Sequence, residues 1–334
     1  MSVDADLIAC GWYVAGIRDY HLAYLRERRA ADPSARLISV VFVADGRDDA
    51  AVIAENERFG ASEVHVYRAE GAMRRRVANL LGLFARFVLG VARRSGVERI
   101  FLTHEAFNWW MIPGAVLSRR LYVFAHDPVP HETAERWPAG AIRRRYFRWT
   151  YFRRPWRGVV VGSESNRAAL EAGGCRAPVI VSPFPTFDAS LFEGEARAPE
   201  LEGLAPYVLI FGRVDVYKGV HEWLSGPARE LPADVPVVVA GVVMDRRVMQ
   251  HADRAVILDR FVPTEEVAAL FSGARAVVCP YLSATHSGVV DLGRSFGLPV
   301  YVSDQPYFRE RYAEDPEVRP LARLAADLEA AAKG

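Results

Sequence analysis

Arg213 and Lys218 stand five residues apart in Phe211-Gly212-Arg213-Val214-Asp215-Val216-Tyr217-Lys218-Gly219, directly after the apolar run Tyr207-Val208-Leu209-Ile210. The chain holds 42 lysines and arginines, yet only Lys218 and Lys333 are lysines. A composition with this bias supplies arginine wherever any positive charge serves, so a lysine at this point implies a specific task. An ammonium is a compact point charge suited to phosphate oxygens, and the planar guanidinium of Arg213 offers a fork to the same group. Gly212 allows a tight turn after the run, and Lys218 falls near the next helix start, where backbone N–H groups also favour anions.

A second constellation follows Cys279: Pro280-Tyr281-Leu282-Ser283-Ala284-Thr285-His286-Ser287-Gly288-Val289-Val290-Asp291. Thr285, Ser287 and Gly288 would set hydroxyls and backbone N–H groups at a helix N-terminus, a ready anion site; plain N-capping explains the Ser-Gly pair equally well. A third, His126-Asp127-Pro128-Val129-Pro130-His131-Glu132, closes the apolar run 121–125. Two histidines and two acids stiffened by prolines suit contact with a polar substrate, with His126 and Asp127 foremost. Zinc fits poorly, because no further ligands are spaced to complete a site with His126 and His131.

The elements that must carry these residues are legible as short β-type runs separated by helix-length segments. The runs are 6–10, 37–43, 63–67, 99–102, 121–125, 158–161 and 179–181, then 207–211, 235–240, 255–258, 276–279 and 299–302. Near-continuous Val, Ile and Leu between helices predicts parallel sheets covered on both faces, hence an α/β chain with two doubly wound domains. The Pro- and acid-bearing stretch from Ser182 to Pro206 reads as the linker. The expected division is 1–187, 188–310 and a C-terminal helical segment 311–334 that returns to the first domain. Ligands of such folds sit at the carboxyl ends of the strands, so the cleft between the domains is the expected site.

Composition narrows the setting. The 334 residues, 51% of them hydrophobic, can bury two cores, and no uncharged apolar stretch is long enough to span a bilayer. The acidic start Met1-Ser2-Val3-Asp4-Ala5-Asp6 is unlike a signal peptide, so a cytoplasmic protein is expected. Three widely spaced cysteines suggest neither disulfides nor zinc, and Cys10 and Cys279 read as small buried hydrophobes. Residues 1–185 carry 27 arginines against 19 acids, whereas residues 186–334 carry 15 basic residues against 22 acids. The first half should therefore meet something anionic. Segments 74–94 and 142–157 mix arginine with apolar and aromatic residues, as interfacial helices do at an anionic membrane, which predicts peripheral association with the inner face of the plasma membrane. An ordinary packed helix with a solvated arginine face is the simpler alternative for each. No nucleic-acid-binding motif is present.

Taken in order, these pieces resemble the retaining family 4 glycosyltransferases (GT-B architecture, group 1 glycosyltransferases), which have two Rossmann-like domains facing a cleft. The matching residues are Gly212-Arg213 with Lys218-Gly219, Val237-Val238-Val239-Ala240-Gly241, Phe261-Val262-Pro263 with Glu265-Glu266, Pro280-Tyr281, and Gly297-Leu298-Pro299-Val300. In the first half they are His126-Asp127-Pro128 with His131-Glu132, and Val160-Val161-Gly162-Ser163-Glu164-Ser165. The resemblance implies a nucleoside diphosphate sugar as donor and co-substrate, a lipid-linked or glycan acceptor, and no metal or other cofactor. It implies that Arg213 and Lys218 bind the donor diphosphate with Thr285, Ser287 and Gly288, and that Phe261 and Val262 read the base. It also implies that His126 and Asp127 act beside the transferred sugar, with Gly16, His131, Glu132 and His286 toward the sugar or acceptor. The family's two glutamates before Gly-x-Pro-Val are absent: Ala284 and Leu292 stand in their places, the Ser287-Gly288 loop resembles that of a variant branch, and Asp291 is the expected ribose partner. A nucleotide-sugar epimerase and a non-catalytic nucleotide-sugar-binding scaffold share the same expectations for the diphosphate.

Overall fold

The computed structural model describes residues 5–10, 13, 15–43, 47–68, 96–103, 119–126, 128, 156–185, 189–192, 194, 196–204 and 206–333. The described residues divide into two compact units, the first built on residues up to Pro185 and the second on residues from Ala189 onward. In the first, β1 (Ala5–Cys10), β2 (Arg36–Val43), β3 (Glu63–Arg68), β4 (Val97–Leu102), β5 (Leu121–Phe124), β6 (Gly158–Val161) and β7 (Val179–Val181) form one parallel sheet in the order β3-β2-β1-β4-β5-β6-β7. In the second, β8 (Tyr207–Phe211), β9 (Val237–Ala240), β10 (Ala255–Leu258), β11 (Ala274–Cys279), β12 (Val300–Val302) and β13 (Val318–Pro320) form another in the order β10-β9-β8-β11-β12-β13.

Both orders are the doubly wound pattern, in which the chain reverses direction across the sheet beside its first strand. The cause lies in the strand sequences, which are apolar on both faces. Tyr207 and Leu209 of β8 join one buried cluster with Val238, Val277 and Cys279, while Val208 and Ile210 join a cluster on the other face with Val237, Val239 and Val278. With period-two alternation, a strand that feeds two cores needs helices on both sides. Cys10 and Cys279 are fully buried, as their apolar neighbours predict.

Three segments differ from their sequence-level description. Residues 189–204 are no loose tether: Leu191 and Ala198 are buried, and Phe192, Leu201 and Leu204 pack on the core of the second unit. Segment 311–334, set apart by sequence as a helix returning to the first domain, is built into the second unit. Its strand β13 pairs with β12, Leu324 and Leu328 enter that sheet's core, and Asp327 accepts hydrogen bonds from Tyr301 (2.9 Å) and Arg319 (3.0 Å). Trp156, counted among the aromatic residues of segment 142–157, is buried in the first domain's core and presents no face to a membrane. Segment 74–94 and residues 142–155 lie outside the described residues.

Candidate active site

Strand β8 ends at Phe211, and Gly212 follows with φ of 90°, a left-handed conformation that turns the chain out of the sheet. Asp215 then starts a short 3-10 turn, Val216–Lys218, by accepting the Val216 N–H at 2.9 Å. Gly219 closes it in the left-handed region at φ 62°, where a Cβ would run into the Pro280 carbonyl oxygen. This folding-back brings Lys218 home to the strand it left. Its ammonium donates to the Phe211 carbonyl at 3.2 Å and lies 5.3 Å from the centre of the Tyr281 ring.

Lys218 is only 6% exposed. Burial pulls its pKa down to about 8, opposed by the Cys279 thiol, reinforced by the Arg213 charge and opposed again by Asp215. An ammonium offers three donors, and among the described residues one of them is engaged by Phe211. A buried cation so sparsely paired is costly to the fold and suited to an anion. Arg213 Nη2 donates to Asp215 at 3.0 Å, and its side chain is 53% exposed.

The second loop meets the first here, because β11 pairs directly with β8 at the point where strand order reverses. A Cβ built on Gly212 would lie 3.2 Å from Lys218 Nζ and 3.8 Å from Val289 Cγ2, so the turn, the ammonium and the start of helix Gly288–Ser295 share one space. Ser287 occupies the N-cap position of that helix, yet its hydroxyl makes no cap; it pairs with the buried Tyr281 hydroxyl at 3.2 Å. The capping role open to Ser287 on sequence grounds is therefore not the one it takes. The Ser287 side chain thus leaves the first-turn N–H groups uncapped beside a buried ammonium, and both favour negative charge.

Around this centre, Thr285 is buried, and His286 Nδ1 lies 3.3 Å from the Tyr307 hydroxyl. Phe261, just past β10, is 59% exposed, whereas Val262 is buried in the core. Asp291, expected at a ribose, is buried: its carboxylate accepts from the Tyr312 hydroxyl at 3.1 Å and lies 3.6 Å from Arg294. Leu292 is a core residue, and Ala284 packs against the same cluster.

In the first domain, His126 follows β5 at the carboxyl edge of its sheet and is buried. Its Nε2 lies 2.8 Å from the Thr103 carbonyl, and since a carbonyl only accepts, that nitrogen carries the proton. The imidazole packs against both Tyr20 (4.3 Å between centroids) and Phe184 (4.6 Å), which also touch each other. Gly16 lies in the first turn of helix Ala15–Ala31, which follows β1. Asp127, His131 and Glu132 lie outside the described residues. Sequence inspection passed over Tyr20, Thr103 and Tyr281 as individual contributors; an isolated tyrosine or threonine carries no motif, and only the fold sets them against His126 and Lys218.

Two Rossmann-like parallel-sheet domains, each with polar loops at the carboxyl ends of its strands, define the GT-B fold, the architecture of many nucleotide-sugar glycosyltransferases. Among solved structures, the chain is similar to HepE of Anabaena in complex with UDP and glucose (15% identity, 98% of this chain and 90% of that one, TM-score 0.61). It is also similar to sucrose-phosphate synthase of Thermosynechococcus elongatus (16%, 98% and 90%, TM-score 0.63) and to a putative UDP-N-acetylglucosamine 2-epimerase of Listeria monocytogenes (12%, 99% and 89%, TM-score 0.55). No family model matches the chain, and no curated protein matches it by sequence. The likeness is one of fold.

Proposed function

We propose that the protein is a glycosyltransferase that moves a sugar, with retention, from a nucleoside diphosphate to a lipid-linked or polysaccharide-precursor acceptor. The observation that carries this reading is the buried ammonium of Lys218 beside an uncapped helix start. When the bond from the anomeric carbon to the diphosphate breaks, negative charge develops on the departing phosphate. Preorganised cations and N–H groups stabilise that charge more than they stabilise the ground state. In this reading Arg213, Lys218 and the N–H groups at Gly288 take the diphosphate, with Thr285 and Ser287 lining the loop, and supply the charge neutralisation without a metal. Phe261 and the Val262 backbone meet the base. His126 and Asp127 serve the transferred sugar, and Gly16, His131, Glu132 and His286 its hydroxyls or the acceptor. The likeness to HepE, solved with UDP and glucose, supports a nucleotide-sugar donor.

The arginine excess of the first half supports an anionic membrane surface as the place of the acceptor, met through segments 74–94 and 142–155 from the cytoplasmic side. Sedimentation with anionic but not neutral liposomes supports this; equal sedimentation with both contradicts it.

A second reading, a nucleotide-sugar epimerase, is favoured by the likeness to the Listeria protein, while the missing glutamates at 284 and 292 favour a non-catalytic scaffold. The deciding experiment incubates the protein with a panel of UDP-, GDP- and ADP-sugars, with and without a membrane extract. Nucleoside diphosphate release that requires the extract supports transfer. Interconversion of donor sugars without extract supports the epimerase, and binding without turnover marks a scaffold.

A further inference from the structure

Beneath the first domain's carboxyl edge runs a row of polar side chains that the proposed reaction does not use. Tyr13, His21, Ser39, Asn56 and Thr103 are all fully buried. They come from the β1 connection, helix Ala15–Ala31, β2, helix Asp49–Arg58 and the end of β4. Burying such a group without a partner is costly, so a row of five within a sheet core has to be mutually satisfied.

The hydrogen bonds that satisfy it have a single direction. Arg18 pairs with Glu55 at 2.6 Å, which keeps that carboxylate an acceptor. The Tyr13 hydroxyl donates to Glu55 at 2.7 Å and accepts from the Asn56 amide at 2.9 Å; the other N–H of that amide goes to the Val52 carbonyl. Asn56 Oδ1 accepts from Ser39 at 2.8 Å, so Ser39 accepts from His21 Nε2 at 2.9 Å. His21 is therefore protonated on Nε2. Burial holds its pKa down to about 3, so it stays neutral with Nδ1 as an acceptor. Facing Nδ1 at 3.3 Å is the Thr103 hydroxyl, which also lies 3.3 Å from the Ala9 carbonyl.

Thr103 is the junction, because its main-chain carbonyl accepts the His126 Nε2–H at 2.8 Å. Its single hydroxyl proton has two acceptors at 3.3 Å, His21 Nδ1 and the Ala9 carbonyl, and its N–H donates to Ala9 at 3.1 Å, so the peptide that orients His126 is fixed from behind.

We propose that His21, acting through Thr103, is the positioning residue for His126, and that the row from Glu55 to Thr103 sets which nitrogen of His126 carries the proton. The consequence is that the proton on Nε2 and the ring plane of His126 are fixed before substrate arrives. The inference gives His126 its purpose by resting on the reading above, but its test reads the imidazole directly and requires no turnover.

Nitrogen-15 spectra of histidine-labelled protein report the protonated nitrogen of each ring, with the His126 signals assigned by their loss in His126→Gln. Without substrate at pH 7.5, the wild type should show His126 almost wholly as the Nε2–H tautomer. Thr103→Val keeps the carbonyl and the shape while removing the anchoring hydroxyl, and His21→Leu removes the anchor's partner. Each should raise the Nδ1–H fraction of His126 at least threefold, and His21→Gln, which keeps polar atoms near Ser39 and Thr103, should restore part of the wild-type ratio. A wild-type protein with His126 mainly Nδ1–H overturns the proposal. So does a folded Thr103→Val protein whose His126 signals match the wild type, and this near-isosteric variant keeps the test decisive where His21→Leu fails to fold.

Discussion

The ammonium of Lys218 donates to the main-chain carbonyl of Phe211 at 3.2 Å, so a strand end and a turn seven residues later hold one buried cation between them. That pairing depends on the two glycines that flank the turn. It leaves the cation at the reversal of strand order, beside the start of helix Gly288–Ser295, where a doubly wound sheet receives its ligand.

Gly212→Ala tests how tightly the space is held. The new methyl would lie 3.2 Å from Lys218 Nζ on a backbone with φ of 90°. We expect stability to fall by about 1–3 kcal/mol in urea unfolding, from the strained backbone. Nucleoside diphosphate affinity, measured by calorimetry, should fall by about tenfold.

Gly219→Ala should be more severe for the fold. Its Cβ would run into the Pro280 carbonyl oxygen at φ 62°, so the turn carrying Lys218 must move away from the loop after β11. We expect about 3 kcal/mol of lost stability, and urea unfolding with a normal midpoint would contradict this.

The pH dependence of diphosphate binding follows from the depressed pKa of Lys218, about 8. The protonated form attracts phosphate, so affinity should hold steady at pH 6.5–7.5 and decline as pH rises through 8 and beyond. A bound diphosphate favours the ammonium and raises its pKa, so the decline begins at the free protein's value and continues up to that of the complex. Lys218→Ala should remove it, and calorimetry at stepped pH reads both effects.

Acid stability should reflect two histidines. Burial depresses the pKa of His21 to about 3, and burial followed by the charge of His221 depresses that of His251, with Asp253 opposing and Arg229 and Arg254 reinforcing. The unfolded chain takes up these protons near pH 6.5, whereas folded His21 resists until about 3. The unfolded state thus binds more protons in that interval, so stability is full above about 6.5 and is lost as pH falls. His21 alone should add about 1.4 kcal/mol of loss per pH unit below its unfolded pKa, and His21→Leu should flatten the slope by that amount in urea unfolding at pH 7, 6 and 5.

Much of the fold was legible because parallel strands buried on both faces announce themselves as apolar runs, as Tyr207–Phe211 and Val237–Ala240 do. Strand β13 was not: Val318-Arg319-Pro320 is short, carries a charge and ends in proline, and only pairing with β12 at a sheet edge makes it a strand. Lys218 stood out through composition, because one lysine among arginines is a local fact. The surroundings of Asp291 were not legible: its spacing suggests a ribose partner, and only the fold shows that Tyr312, twenty-one residues on, donates to the carboxylate. The polar row behind His126 was invisible for the same reason: Tyr13, Ser39, Asn56 and Thr103 come together only when β1, β2 and β4 are paired.

The central claim, that Lys218 holds a diphosphate, is tested most directly by titrating UDP, GDP and ADP into the wild type and into Lys218→Ala by calorimetry, with thermal unfolding as the control for fold. At least one nucleotide should bind the wild type, and Lys218→Ala should weaken it by tenfold or more without lowering the unfolding temperature. Equal affinity for both proteins, or no binding of any of the three to the wild type, would contradict it.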